Sequence, residues 1–186
     1  MKKGNWTTVI FLVVILAFVG FVFFGNKTKN DESNSEKEKV LVNPQVKIDV
    51  ESHKNYGRDH IKAGDPDPTF VGITPTSGTH DITPADYGFY DKALKPRYYV
   101  HSLEHGDIVI HYNPKVDKQT LAKLKELTNI TYKGSGVLAI PNTKIKTDLV
   151  VTAWTKTMPL KSYNQKKIDQ FIFDYIYEGP EKLMPR

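Results

Sequence analysis

Cysteine is absent from the chain. With no thiol there is no disulfide framework, zinc ribbon, CxxC redox centre, cysteine nucleophile or lipidated N-terminal cysteine. A dominant charge of one sign is also missing. The 26 Lys and Arg and the 21 Asp and Glu are interspersed, so no basic stripe forms and no nucleic-acid partner is expected. There is no internal repeat and no phosphate-cradling loop, Gly134-Ser-Gly136 being only a turn, and no nucleotide or organic cofactor is expected. Thioethers are scarce, with only Met158 and Met184 beyond the N-terminal region.

What is present begins with one long apolar run, Trp6 to Gly25, with Lys2 and Lys3 before it and no further charge until Lys27. As a helix it spans about 30 Å, the thickness of a bilayer's hydrocarbon core. Phe21 to Asn26 makes a poor cleavage site, so an uncleaved signal-anchor is expected rather than a removed leader. The flank before the run is purely positive and the flank after it is mixed. That asymmetry predicts a cytoplasmic N-terminus over residues 1–5, a transmembrane anchor over 6–25 and an extracytoplasmic remainder in the cell membrane. Residues 26–45 are rich in Lys, Glu, Asn, Asp and Ser and read as a disordered tether. Residues 46–186 suit one domain, since a chain of about 140 residues buries some two-thirds of its surface.

Within that domain Val46, Ile48 and Val50 alternate with Lys47 and Asp49, the pattern of a half-buried strand. From Tyr56 to Pro96, repeated Pro and Gly interrupt every long element and leave room for one short strand at Thr69–Ile73. The aromatics Phe70, Tyr87, Phe89 and Tyr90 argue that this segment is ordered. Further on, Asp107–Tyr112, Gly136–Pro141 and Asp148–Thr155 read as strands. Asp117 caps a helix carrying Leu121, Leu124 and Leu127, with Val116 and Leu121 as a hydrophobic staple. Asn164 caps a last helix whose stripe is Ile168, Phe171, Ile172, Tyr175 and Ile176, stapled by Tyr163 and stopped by Gly179-Pro180. The expected fold is α+β: a small mixed or antiparallel sheet with two helices on one face and a long irregular Pro/Gly-rich segment.

Chemistry concentrates at the histidines. His101 and His105 stand at i and i+4, one helical face, and Glu104 precedes the second, so His101-Ser-Leu-Glu-His105 suits a shared metal ion. It also matches the H-x-x-E-H string of inverted zinc peptidases, in which the Glu acts as base. The setting opposes a peptidase: Pro96 and Gly106-Asp107 leave about two turns of helix, and Glu178 and Glu181 are the only candidates for a third carboxylate ligand. His80, at the end of Pro75-Thr-Ser-Gly-Thr-His80, and His60 offer further nitrogens from the irregular segment, with Asp81 expected to orient His80. His111 lies on one face of a strand and His53 in a polar stretch, so neither is expected to join. Asp65-Pro-Asp67-Pro lacks the Gly and distal Glu of a calcium loop. Ser77 and Ser102 lack a nucleophile-elbow context, and the aromatics of 171–177 suit a core stripe.

Asp59-His-Ile61, Pro75 to His80, Tyr87-Gly-Phe-Tyr90, Val100 to Gly106, Val109-Ile-His-Tyr112, Val150 to Trp154 and Gly179-Pro-Glu181 together resemble bacterial domain-of-unknown-function family 3105. The resemblance implies an N-terminal membrane anchor and a shared pattern including His60, His80, His101, Glu104 and His105. It implies no established reaction. Thr79 stands where the family often has Pro, and Tyr87 where some members place Cys, so no thiol mechanism carries over.

The expectation is a membrane-anchored extracytoplasmic domain that binds one divalent transition ion, zinc or copper, through His80, His101 and His105, with His60 as a fourth ligand and Glu104 beside them. Thiol-free imidazole sites suit either ion in the divalent state, whereas Cu(I) would want thioethers. The alternatives are a metal-free structural or partner-binding module of the cell envelope and, third, a zinc-dependent hydrolase using Glu104. No protein partner is named by the sequence.

Overall fold

The computed structural model of the chain describes residues 41–182. The expected transmembrane anchor at 6–25 and most of the expected tether at 26–45 fall outside the described residues, among which no helix is long and apolar enough to cross a membrane. A mixed sheet forms the centre. Its main strands are β5 (Ile108–Tyr112), β7 (Ser135–Pro141), β8 (Leu149–Ala153) and β9 (Lys156–Leu160), extended by the two-residue β1 (Glu51–Ser52), β4 (Gly88–Phe89) and β6 (Thr131–Tyr132). The order is β1-β9-β8-β5-β7-β4, with β6 paired to β7. β7 runs parallel to β5 and β4, and the other pairings in the sheet are antiparallel. β2 (His60–Ile61) and β3 (His80–Asp81) form a separate parallel pair, His60 opposite His80.

Three helices accompany the sheet, one more than the sequence predicts. α2 (Lys118–Leu127) joins the parallel strands β5 and β7, and α3 (Gln165–Tyr175) follows β9. Both start as expected: Asp117 accepts from the Thr120 amide at 2.7 Å and Asn164 from the Lys167 amide at 3.1 Å. Leu124, Leu127, Ile168, Phe171 and Ile172 pack with Ile108, Ile110, Val137 and Val151 on one face of the sheet. The extra helix, α1 (Pro96–Glu104), lies on the opposite face, where Tyr99, Val100 and Leu103 meet Val109, Leu138 and Ile140. Alternate residues of β5 and β7 thus serve two cores, so these strands read as continuous apolar runs. The expectation of helices on one face alone is corrected by α1, which the irregular segment carries over the second face.

Other differences have local causes. Val46, Ile48 and Val50 are half-buried in alternation, yet the backbone there joins no ladder; the pairing begins at Glu51. Thr69–Ile73 is not a strand: Gly72 has a φ of +88° and Val71 and Ile73 are exposed. The run expected as one strand over 148–155 is the first arm of a hairpin, turned at Trp154-Thr155, with Thr155 at a φ of +59°. Its second arm holds Pro159, tolerated because β1 pairs only with Lys156 and Thr157 and no neighbour needs the missing N–H. α3 ends at Tyr175, before Gly179-Pro180, and Tyr177 takes the left-handed conformation instead.

His111 of β5 is 1% exposed, lies edge-on to Tyr99 with ring centroids 5.2 Å apart, and neither ring nitrogen has a hydrogen-bond partner among the described residues. Burial pushes its pKa down to about 3. The unfolded chain therefore takes up a proton that the folded chain refuses. The stability tied to the neutral ring is complete above about pH 6.5 and is lost as pH falls toward 3. His111→Phe should flatten the pH dependence of the denaturant midpoint between pH 6 and 4 by on the order of 1 kcal/mol per pH unit; unchanged slopes would refute the assignment. Phe171, fully buried between α3 and the sheet, should cost about 3 to 5 kcal/mol on replacement by Ala, and a loss below about 0.5 kcal/mol would show that α3 is not docked.

Candidate metal centre

α1 begins at Pro96, pre-set for a first helical turn, and ends two turns later where Gly106 adopts a φ of +83°. That short helix points His101 and Glu104 at the β2–β3 pair, which brings His60 and His80 side by side. His60, His80, His101 and Glu104 each offer a ligand atom, all within 4.8 Å of one another, close enough to hold one metal ion. Glu104 Oε2 lies 2.9 Å from His80 Nε2 and 3.2 Å from His60 Nε2. Donors about 2 Å from a tetrahedral ion stand about 3.3 Å apart, so the set is slightly expanded and a small side-chain rotation would close it.

The tautomers follow from the partners. A carbonyl oxygen only accepts, so His80 donates from Nδ1 to the Gly78 carbonyl at 2.7 Å and His101 from Nδ1 to the Asp81 carbonyl at 2.6 Å. In the neutral rings each Nε2 then carries a lone pair; that of His101 accepts from His105 Nε2 at 2.6 Å, so this contact must be released for His101 to bind an ion. Burial above all, together with the neighbouring His105, His80 and His60 rings, lowers the His101 pKa to about 4 against the opposing Asp81 hydrogen bond. His101 is thus neutral at neutral pH, as a ligand must be. Glu104 is fully buried, and its second oxygen, Oε1, has no hydrogen-bond partner among the described residues and stands 3.8 Å from Arg58 Nη1.

His105 stands one step outside this group. Its Nε2 lies 2.6 Å from His101 Nε2, and its carbonyl accepts from Ser135 Oγ at 2.8 Å. The i, i+4 spacing does bring the two rings together, with centroids 4.4 Å apart, but the group of four is completed by Glu104 rather than His105. His111 and His53 stay apart, as expected; His53 contacts Thr157 Oγ1 at 2.7 Å. Asp81 does not orient His80. Its carboxylate, held below the usual range because the Thr83 amide and the Arg97 guanidinium outweigh burial, binds Arg97, while its carbonyl serves His101.

Arg97, missed by sequence reasoning, organises the irregular segment. Nearly buried, it bonds to Asp81 and Asp67 and to the carbonyls of Lys62 and Asp65. Standing at i−4 from His101 on the same helix, it was legible only as a helical neighbour. Asp67 also pairs with Lys95, so these acidic residues are neutralised by cations rather than gathered for calcium. Ser102 Oγ is buried and donates to the Ala85 carbonyl, and Ser77 Oγ accepts from the Tyr56 amide; neither is placed as a nucleophile.

Two glycines close the site from below. A Cβ on Gly106 would lie 2.6 Å from Tyr177 Cα, and one on Gly179 would collide with the Glu104 carbonyl oxygen. These close approaches let the C-terminal strap cross the end of α1, with Tyr177 N donating to Gly106 O at 2.8 Å and Glu181 N to Glu104 O at 3.1 Å. Trp154 stands edge-on behind His80, ring centroids 6.3 Å apart. Four of the segments that carry the family resemblance, at 59–61, 75–80, 100–106 and 179–181, thus meet around one cluster, with Trp154 of a fifth behind His80.

No curated protein and no solved structure matches the chain. Residues 69–186 match the family described as "Protein of unknown function (DUF3105)", a span that holds His80, His101, Glu104 and His105 and leaves His60 just before it. Over most of its length, the chain belongs to that family.

Proposed function

We propose that the domain binds one divalent transition ion, zinc or copper, through His60, His80, His101 and Glu104. The observation that carries this reading is the convergence of three imidazoles on a fully buried carboxylate whose Oε1 has no hydrogen-bond partner among the described residues. At 2.9 Å His80 Nε2 and Glu104 Oε2 must share a proton or a cation, and a divalent ion would answer the whole group at once. Three nitrogens and a carboxylate oxygen, without sulfur, favour zinc or Cu(II) over Cu(I). Hydrolysis fits less well. Glu104 sits among the donors rather than behind them as a base, and neither Glu178 nor Glu181 belongs to the group.

Demetallated full chain should bind one zinc or copper ion per molecule with a dissociation constant below about 10 μM, and the ion should raise the melting temperature by mass action. His80→Ala, His101→Ala and Glu104→Gln should each weaken binding at least tenfold, Arg97→Lys should do so through the loosened Asp81 carbonyl, and His53→Ala should have no effect. Absence of binding in calorimetry, with the histidine variants losing equal stability with and without metal, would favour a metal-free structural role.

We also propose that Trp6–Gly25 anchors this domain on the outer face of the cell membrane; the charge asymmetry around the run supports that orientation. Protease added to intact protoplasts should cut within 26–45 and release the folded domain. Full protection would reverse the topology.

A further inference from the structure

The four donors differ sharply in their access to solvent. The side chains of His80 and Glu104 are completely buried, whereas that of His60 is 39% exposed. His60, His101 and His105 line a cleft of about 520 Å³ whose other walls include Asp86 and Glu181. The rear of the cluster is closed by Trp154 and by the C-terminal strap. An ion held here would meet the outside through this cleft, past the most exposed of the four ligands. His60 also rides on a two-residue strand whose only ladder partner among the described residues is β3, while His101 and Glu104 are built into a helix packed on the sheet.

Resting on the metal-binding reading above, we propose that the site is an exchange site rather than a permanent structural one: its ion is taken up and handed on through this cleft, with His60 as the replaceable ligand. The incoming group is a nitrogen or carboxylate donor from a small chelating molecule or from the surface of a partner protein. Its bond to the ion forms as the bond to His60 Nε2 breaks, with no change in oxidation state, and His60 leaves as the neutral imidazole. His105, against His101 and on the cleft wall, stands where it can take the ion in passage. Asp86 and Glu181 place two carboxylates on the cleft wall, which draw hydrated cations and speed uptake against the opposing charge of Arg58, an effect that salt screens.

The test is the rate at which zinc leaves the purified full chain for a chromophoric chelator. A replaceable ligand at an open cleft predicts a release rate that rises in proportion to chelator concentration over at least a tenfold range. His60→Ala should release zinc at least tenfold faster. The double variant Asp86→Asn, Glu181→Gln should slow zinc uptake several-fold at low ionic strength, with the difference vanishing in about 1 M salt. A release rate independent of chelator concentration would show an ion freed only when the domain opens, and would overturn the exchange role while leaving metal binding intact. Uptake by the double variant at the wild-type rate would overturn the role given to the two carboxylates. Failure of the wild-type chain to take up zinc or copper at all would overturn the parent reading and this one together.

Discussion

A carboxylate wholly removed from water is the constraint around which this domain is arranged. Leaving such a charge uncompensated costs several kcal/mol, and the side chain of Glu104 has no exposed surface. Its surroundings are what that burial requires: His80 and His60 against one oxygen, and Arg58 at a distance from the other. None of these partners is on the same element as Glu104. They come from the irregular segment, so that segment must fold back across α1 for the carboxylate to be tolerated. The lack of regular structure between Tyr56 and Pro96 follows from the same demand, because a long strand or helix would not deliver His60 and His80 to one point.

Polar contacts do in this half what apolar packing does in the other. The sheet, α2 and α3 are held by a contiguous buried cluster, whereas the irregular segment contributes few fully buried apolar side chains. Its order rests on Arg97, whose bonds to Lys62, Asp65, Asp67 and Asp81 fasten a loop and a strand to the helix that carries His101. Hydrogen bonds to a charged group contribute about 1.5 to 3 kcal/mol each when they are well made, and a buried charge that loses them is costly. The Arg97 network therefore links the conformation of the loop to the orientation of the His101 ring, through the single carbonyl of Asp81.

The sequence discloses those parts of the fold that repeat along the chain and conceals those created by contact between distant segments. The caps at Asp117 and Asn164, the stripe through Ile168 and Phe171 and the strands around Val109, Val137 and Val151 are legible because each is a local periodicity with a local stop. β9 is concealed by Pro159, which is tolerated where β1 no longer pairs, and by the polar Lys156 at its start. α1 is concealed by its shortness and by the polar residues it buries, His101 and Glu104 among them, so that two turns of helix are legible between Pro96 and Gly106 but not the face of the sheet they cover. At the site the residue types are legible and the roles only partly so. Spacing joins His101 to His105, but the approach of β2 and β3 decides that Glu104, not His105, completes the group of four. Gly179 reads as a helix stop and is instead the point where the strap crosses α1, a tertiary reason that no local pattern carries.

These two modes of stabilisation imply that the halves of the domain respond differently to an ion. Binding free energy is added only to states in which the ligands are assembled. The sheet half contributes no donor, and its apolar core is complete without one. The irregular half contributes His60 and His80 directly and the carbonyls of Gly78 and Asp81 that hold the rings. An ion would thus stabilise the loop region against local opening far more than it would stabilise the sheet, which sets the scale of global unfolding. Such a partition allows a site to open and close without loss of the fold. The scaffold that keeps Glu104 buried is the packed side of α1, and in the exchange proposed above the part that would move is the side facing the cleft, where His60 is the most exposed of the four donors.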